Sequence, residues 1–118
     1  MATGNGFDKY VVRISGGNEG RVGLLLCYKG NSFVGRIDFY PDGTAMPQDY
    51  LWHPTSTGEY VVLHMPMSRF DSVMSTVRLE KPLHLYIDVN RGIGAYTSGH
   101  GHLATTEKEP TGEEEGTP

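Results

Sequence analysis

Several features common in enzymes and in secreted or membrane proteins are missing from this sequence. It contains one cysteine, Cys27, which excludes an internal disulfide and a cluster of thiolate ligands. No apolar run approaches the roughly 18 residues that cross a bilayer, and residues 1–6 lack the basic start and apolar core of an export signal. We therefore expect a cytoplasmic protein with no membrane partner, in which Cys27 is a buried, unreactive thiol.

Recognisable catalytic motifs are also missing. The chain has no Gly-x-Ser-x-Gly elbow. The glycine-rich residues 16–20 are followed by no Lys-Ser or Lys-Thr pair and open no helix, so they lack the lysine and the dipole of a phosphate loop. The acids outside the C-terminal tail form no distinctive pair for glycoside cleavage. We expect no catalytic residues and no cofactor, and hence a protein that is not an enzyme.

The net charge of −4 comes from the C-terminal tail. Residues 107–118 hold five of the 14 acids and one of the 10 bases, which leaves nine of each in residues 1–106. A neutral body has no bulk field to attract nucleic acid or anionic lipid. Because the tail is too polar to form a core, we expect it to be disordered.

Alternation of apolar and polar residues predicts that most of the chain forms strands. The predicted strands are residues 9–15, 21–28, 33–40, 59–64, 83–89 and 93–98. In the first of these, the alternation indicates a half-buried strand with Tyr10, Val12 and Ile14 on the buried face. The prolines of residues 44–54 allow at most an edge strand or an ordered loop there.

One helix is predicted, over residues 66–79. Its apolar residues recur at i, i+3, i+4 and i+7 and form one stripe, made of Phe70, Val73, Met74 and Val77. Ser68 with Asp71 resembles a capping box at the start, and Lys81 with Pro82 gives a stop signal beyond the end. A helix of about three turns needs a sheet to pack on.

The order of these elements predicts an α+β fold, because strands and helices do not alternate along the chain. We expect an antiparallel, bent sheet or partial barrel of six to seven strands, whose helix covers one face or plugs one end. A flexible N-terminus (residues 1–8) would precede a single domain (residues 9–106). Since antiparallel sheets have edges that must be hidden or paired, a homodimer is the expected assembly.

Three segments of the chain resemble a group of short bacterial proteins of unassigned function. The segments are a strand followed by Pro-Asp-Gly at residues 39–43, a helix end at residues 77–82, and the tail pattern Thr-x-x-Glu-Pro-x-Gly-Glu-x-Glu at residues 106–115. The second departs from the group's Leu-Arg-x-Glu-Lys-Pro pattern at Val77. The resemblance implies a bacterial source and does not indicate an activity. It also implies that Glu109 and Pro110 dock on the body, contrary to the expectation of disorder.

Binding to another protein or to a second copy is the function that we expect. Candidate contact residues lie beside prolines and outside the clear periodic segments: Met46, Tyr50, Leu51, Trp52, Met65 and Met67. The competing interpretation is that these side chains belong to loops folded over the core.

Single-stranded nucleic-acid binding is the first alternative. It requires cations that follow the backbone and aromatic rings that stack on bases. Outward strand positions supply both kinds of residue: Arg13, Arg36, Tyr40, His84 and Tyr86. The neutral body and the acidic tail argue against this function.

Metal binding is the second alternative. His100 and His102 are two residues apart in the segment Gly-His-Gly-His, and Asp88 on the preceding strand is a candidate third ligand. Known zinc-site spacings are absent, so a flexible, exposed segment is the favoured interpretation.

Overall fold

The structure is a computed structural model, and it describes residues 2–14, 20–52, 59–80, 82–89 and 96–105. These ranges contain eight strands, one 3-10 turn and one α-helix. In chain order they are β1 (Ala2–Phe7), β2 (Lys9–Ile14), β3 (Gly23–Lys29), β4 (Ser32–Tyr40), β5 (Asp49–Trp52), β6 (Tyr60–Pro66), the turn Met67–Arg69, α1 (Phe70–Leu79), β7 (Leu83–Val89) and β8 (Tyr96–Thr105).

The strands form one mixed sheet in the order β1-β7-β8-β5-β6-β4-β3-β2. Every neighbouring pair is antiparallel except β4 and β6, which are parallel. The α+β class is confirmed, but the predicted antiparallel sheet of six to seven strands is wrong. The reason is that β6 lies between β4 and β5 in the sheet. The chain reverses direction from β4 to β5 and again from β5 to β6, so β4 and β6 run in the same direction.

The sheet curls into a nearly closed barrel. Strands β1 and β2 follow each other with only Asp8 between them, yet β1 pairs with β7 and β2 pairs with β3, at opposite ends of the sheet order. The Asp8 N–H donates to the carbonyl of Tyr28 at 2.9 Å, and the Asn5 side chain donates to the carbonyl of Val34 at 3.0 Å. One bent segment, β1 with β2, therefore joins the two edges of the sheet.

Alternate side chains of the strands fill the barrel. Fully buried ones are Leu25, Cys27, Ile37, Phe39, Val61, Leu63, Leu85 and Ile87. The prediction of a buried cysteine is confirmed, and burial raises the pKa of the Cys27 thiol to about 12. At Gly35, a Cβ would lie 2.6 Å from the carbonyl oxygen of Val61, so strands β4 and β6 approach too closely there for a side chain.

The predicted helix is confirmed over Phe70–Leu79, where it covers one end of the barrel, whereas Pro66 ends β6 and Met67–Arg69 form the 3-10 turn. The stripe residues Val73, Met74 and Val77 of the helix are buried in the core. The Phe70 ring lies edge-on to Phe39 of β4, with centroids 5.1 Å apart. At the other end of the helix, Val77 lines a cleft with Phe7 of β1.

The predicted capping box is wrong. Neither the 3-10 turn nor α1 has a side-chain hydrogen bond at its N-cap, and the Ser68 backbone N–H donates instead to Asp42 at 2.9 Å. The turn after β4 brings this carboxylate to the first turn of the helical segment, so the cap comes from 26 residues earlier in the chain.

Three other expectations differ from the structure. Residues 1–8, expected to be flexible, contain β1, which pairs with β7 in register from Ala2 to Phe7. Strand β5 lies between β6 and β8 rather than at an edge, because the prolines of residues 44–54 fall outside it. The last strand runs over Tyr96–Thr105 and includes the Gly-His-Gly-His segment. The tail, residues 107–118, and the predicted docking of Glu109 and Pro110 lie outside the described residues.

Candidate functional site

The structure places the six residues predicted as an apolar contact surface at different depths, and the surface itself stays a prediction. Leu51 is buried in the core, because its position on the central strand β5 faces inward. Met65 and Met67 pack against the same core, at the end of β6 and at the start of the helical segment. Tyr50 and Trp52 are half-buried on the outer wall of β5, which leaves Met46 as the exposed member of the set.

The residues of the nucleic-acid hypothesis fall on two parts of the barrel wall. Arg13 lies on β2, while Arg36 and Tyr40 lie on β4; His84 and Tyr86 lie on β7, with β8, β5 and β6 between β7 and β4 in the sheet. Those on β7 belong to a row of rings on the outer wall, in which Tyr86 stacks on His84 with centroids 5.5 Å apart and also contacts the ring of His102.

The charge of Arg36 is already paired within the chain. Its Nε donates to Asp38 at 2.9 Å, and its Nη2 lies 3.4 Å from the Tyr50 hydroxyl. Burial by itself lowers the pKa of Arg36, but the charge of Asp38 and its hydrogen bond outweigh burial, so the pKa lies above its ordinary value. A guanidinium held in this way is poorly placed to follow a phosphate backbone.

The metal hypothesis concerns residues that are neighbours on the outer wall. Asp88 is directly opposite His100 in the β7–β8 register, and His102 is opposite Tyr86. Nevertheless, within the described ranges no three His, Cys, Asp or Glu side chains are grouped so that they could hold a metal ion. Metal binding by His100 and His102 stays a prediction.

A polar cluster on the outer wall was missed by sequence reasoning. Its centre is Asp38, only 2% exposed, which is paired with Arg36 and lies 3.6 Å from Arg21. The His64 side chain, 4% exposed, has Nε2 at 3.9 Å from Asp38 and Nδ1 at 3.2 Å from Asp49. Because its carboxylates and imidazole are covered and mutually paired, the cluster stabilises the wall rather than offering a reactive group to a substrate.

Asp49 fills a gap in the backbone ladder between β6 and β8. Its Oδ1 accepts the His64 backbone N–H at 2.7 Å, and its Oδ2 accepts the Gly101 backbone N–H at 2.9 Å. Strand β5, which separates β6 from β8, begins at Asp49 itself. The carboxylate thus accepts the hydrogen bonds from β6 and β8 at a level of the sheet that β5 does not reach. No sequence pattern signals this role, since the contacts are 15 and 52 residues away.

The exposed strand β2 is the feature with the clearest capacity for binding. It pairs with β3 on one side, and no other strand in the described part of the chain pairs with its second side. Tyr10, Val11 and Ile14 are 37%, 43% and 63% exposed. The predicted strand is therefore confirmed, but of its expected buried face only Val12 packs against the core.

The exposure of β2 follows from where β7 begins. The β1–β7 pairing ends with Phe7 opposite Leu83, the first residue of β7. Beyond Phe7 the bent segment continues as β2 without a neighbour on that side among the described residues. In the described part of the chain no strand pairs with the backbone N–H and C=O groups on that side, and an edge of this kind can be extended by a strand from another chain.

A cleft of about 260 Å³ lies beside this free edge. Its walls come from β1, β2, β3, the end of α1 and the start of β7: Phe7, Asp8, Tyr10, Lys29, Val77, Glu80, Pro82 and Leu83. The apolar lining suits an apolar side chain. The Asp8 carboxylate accepts a hydrogen bond from the Gly30 backbone N–H at 3.0 Å, and the Lys29 Nζ lies 3.9 Å from the same carboxylate. These contacts hold the polar part of the rim in place.

Comparison of the chain with family models, with curated proteins and with solved structures gives no match. The resemblance of residues 39–43, 77–82 and 106–115 to short bacterial proteins stays a prediction. Among the helices that the structure describes, none has the length and apolar character needed to span a membrane.

Proposed function

We propose that this protein is a small, non-enzymatic interaction domain that forms a homodimer through the free edge of β2. The observation that carries the proposal is a strand with one side unpaired among the described residues and with three exposed apolar side chains. Proteins usually protect such edges, because they are templates for pairing with another strand. An edge left this way is best explained by a partner strand that covers it.

A second copy of the chain suits this edge in both symmetry and side-chain character. Antiparallel pairing of two identical strands produces a closed two-fold dimer, the commonest assembly of soluble proteins. Strand β2 carries two cations, Lys9 and Arg13, and no acid. These cations alternate with Tyr10, Val12 and Ile14, so the face of a partner β2 that meets the cleft carries no charge and suits the cleft's apolar walls.

Non-enzymatic action is supported by the burial of the Cys27 thiol and of the His64 ring, which removes both from contact with a substrate. A cytoplasmic location is supported by the single cysteine, since a protein of oxidising compartments commonly uses disulfides.

Sedimentation velocity over a range of concentrations tests the dimer. The wild-type protein should approach twice its 13.0 kDa chain mass at high concentration. The double substitution Val11→Lys with Ile14→Lys should keep the protein monomeric, because it places charge on the edge. Met46→Lys, which changes an exposed apolar residue outside β2, is the matched control and should leave the dimer intact. A wild-type protein that stays monomeric at every concentration would contradict the proposal.

Single-stranded nucleic-acid binding is a second candidate, favoured by the row of His84, Tyr86 and His102 rings on the outer wall, in which His84 and Tyr86 are stacked and His102 is tilted. Stacking platforms of this kind hold bases without sequence preference. A labelled oligonucleotide should then bind at low salt and lose affinity in Tyr86→Ala. Absence of binding at low salt would dismiss this candidate.

A further inference from the structure

We infer that the homodimer is centred on Val12 and that Ile14 of each copy enters the cleft beside β2 of the other. This inference rests on the proposed function. It adds the register of the two strands and the residue that the partner copy contributes to the cleft.

The cleft lies on one face of β2. Tyr10 lines it, and Val12 and Ile14 share the face of Tyr10 because successive side chains of a strand alternate. In an extended sheet, directly opposite residues of two paired strands project to the same side. The residue opposite Tyr10 therefore decides which side chain of the partner copy reaches the cleft.

A two-fold axis between identical antiparallel strands passes through a residue that faces its own copy. For at least three residues of β2 to pair with β2 of the other copy, the axis must pass through one of four residues: Tyr10, Val11, Val12 or Arg13. Centring on Arg13 sets that cation against itself, and centring on Val11 sets Lys9 against Arg13. Like charges directly opposite each other destabilise a strand pair.

The remaining choice is between Tyr10 and Val12. With the axis at Tyr10, Ile14 of the partner copy would lie opposite Gly6, where β7 already occupies the edge of β1. With the axis at Val12, Ile14 of the partner lies opposite Tyr10 and Val11 lies opposite Arg13 of the partner. This register avoids like-charge pairs within β2 and ends before β7 begins.

In the Val12-centred register, Ile14 finds an apolar site. It is the most exposed apolar side chain of β2 in the single chain, at 63%. Opposite Tyr10 it meets a cleft whose other apolar walls include Val77 and Leu83. Aromatic and β-branched residues directly opposite each other stabilise antiparallel pairs. The two-fold axis repeats the contact, so each copy gives one Ile14 and receives another.

Disulfide trapping in the full chain tests the register. Val12→Cys should form a disulfide-linked dimer under mild oxidation, since opposite Cα atoms on paired strands lie within disulfide range. Val11→Cys is the matched control and should not be trapped, because it faces Arg13 of the partner. The native Cys27 is buried in both variants and does not interfere. Trapping through Val11→Cys in place of Val12→Cys would overturn the register.

A second pair of variants tests the cleft. Ile14→Ala should raise the dissociation constant of the dimer about a hundredfold, roughly tenfold for each of the two side chains shortened. Ile14→Leu keeps the apolar volume and should stay close to wild type. A dimer unaffected by Ile14→Ala would overturn the cleft contact and leave self-association standing. A wild-type monomer would overturn the proposed function and this inference together.

Discussion

Replacing Asp49 by alanine should destabilise the fold more than its position at the start of a short strand suggests. The substitution leaves the backbone N–H groups of His64 and Gly101 without an acceptor. An unsatisfied buried donor costs about 1–3 kcal/mol. Because both groups are only partly buried, water recovers some of this loss. We therefore expect the free energy of unfolding to fall by about 2–4 kcal/mol for the pair.

Urea denaturation followed by circular dichroism measures this loss. Asp49→Asn should fall between wild type and Asp49→Ala, because the amide keeps one acceptor oxygen and turns its NH₂ toward the other backbone N–H. Asp71→Ala is the control, since this carboxylate lies in the first turn of α1 and makes no cap hydrogen bond. If Asp49→Ala unfolded at the same urea concentration as Asp71→Ala, the carboxylate would not be holding β6 to β8.

Four other changes have defined outcomes. Asp42→Ala should cost about 0.5–2 kcal/mol through loss of the bond from Ser68, measured by the same denaturation assay. Gly35→Ala should lower the melting temperature, since its Cβ would press on the Val61 carbonyl; Gly43→Ala instead tests a glycine with positive φ and open space around it. The pKa of Cys27 is raised in the folded chain, so above about pH 9 the unfolded chain loses the thiol proton while the folded chain keeps it. The free energy of unfolding should therefore fall as the pH rises above 9, and it should fall less steeply in Cys27→Ala. Native mass spectrometry should find a bound divalent ion that is lost in the double substitution His100→Ala with His102→Ala, if those imidazoles hold metal; a metal-free wild-type spectrum dismisses that alternative.

Local patterns in the sequence were sufficient to predict the helix and most of the strands. The stripe from Phe70 to Val77 and the alternation in β4 and β7 each have a period that only one element type satisfies. Strand β1 could not be predicted in this way, because its Ala, Gly and Asn residues have low strand propensity and are held by pairing with β7.

The candidate site depended on information that the sequence does not carry. The alternation over residues 9–15 predicts a half-buried strand, but every residue of β2 except Val12 is exposed. The exposure arises because β7 begins only at Leu83, which depends on the register between segments far apart in the sequence. The cap from Asp42 and the bridge from Asp49 likewise join residues 15 to 52 positions apart. The prolines near β5 indicated an edge, but they lie outside it and leave its four residues free to pair on both sides.

Hydrogen exchange at low and high protein concentration tests the central claim most directly, because it reports on the backbone of β2 itself. If two copies pair through this edge, exchange in the peptide that covers residues 9–14 should slow as concentration rises, while exchange in residues 44–48 should not change. Equal exchange of residues 9–14 at all concentrations, or slowing confined to another strand, would contradict the account.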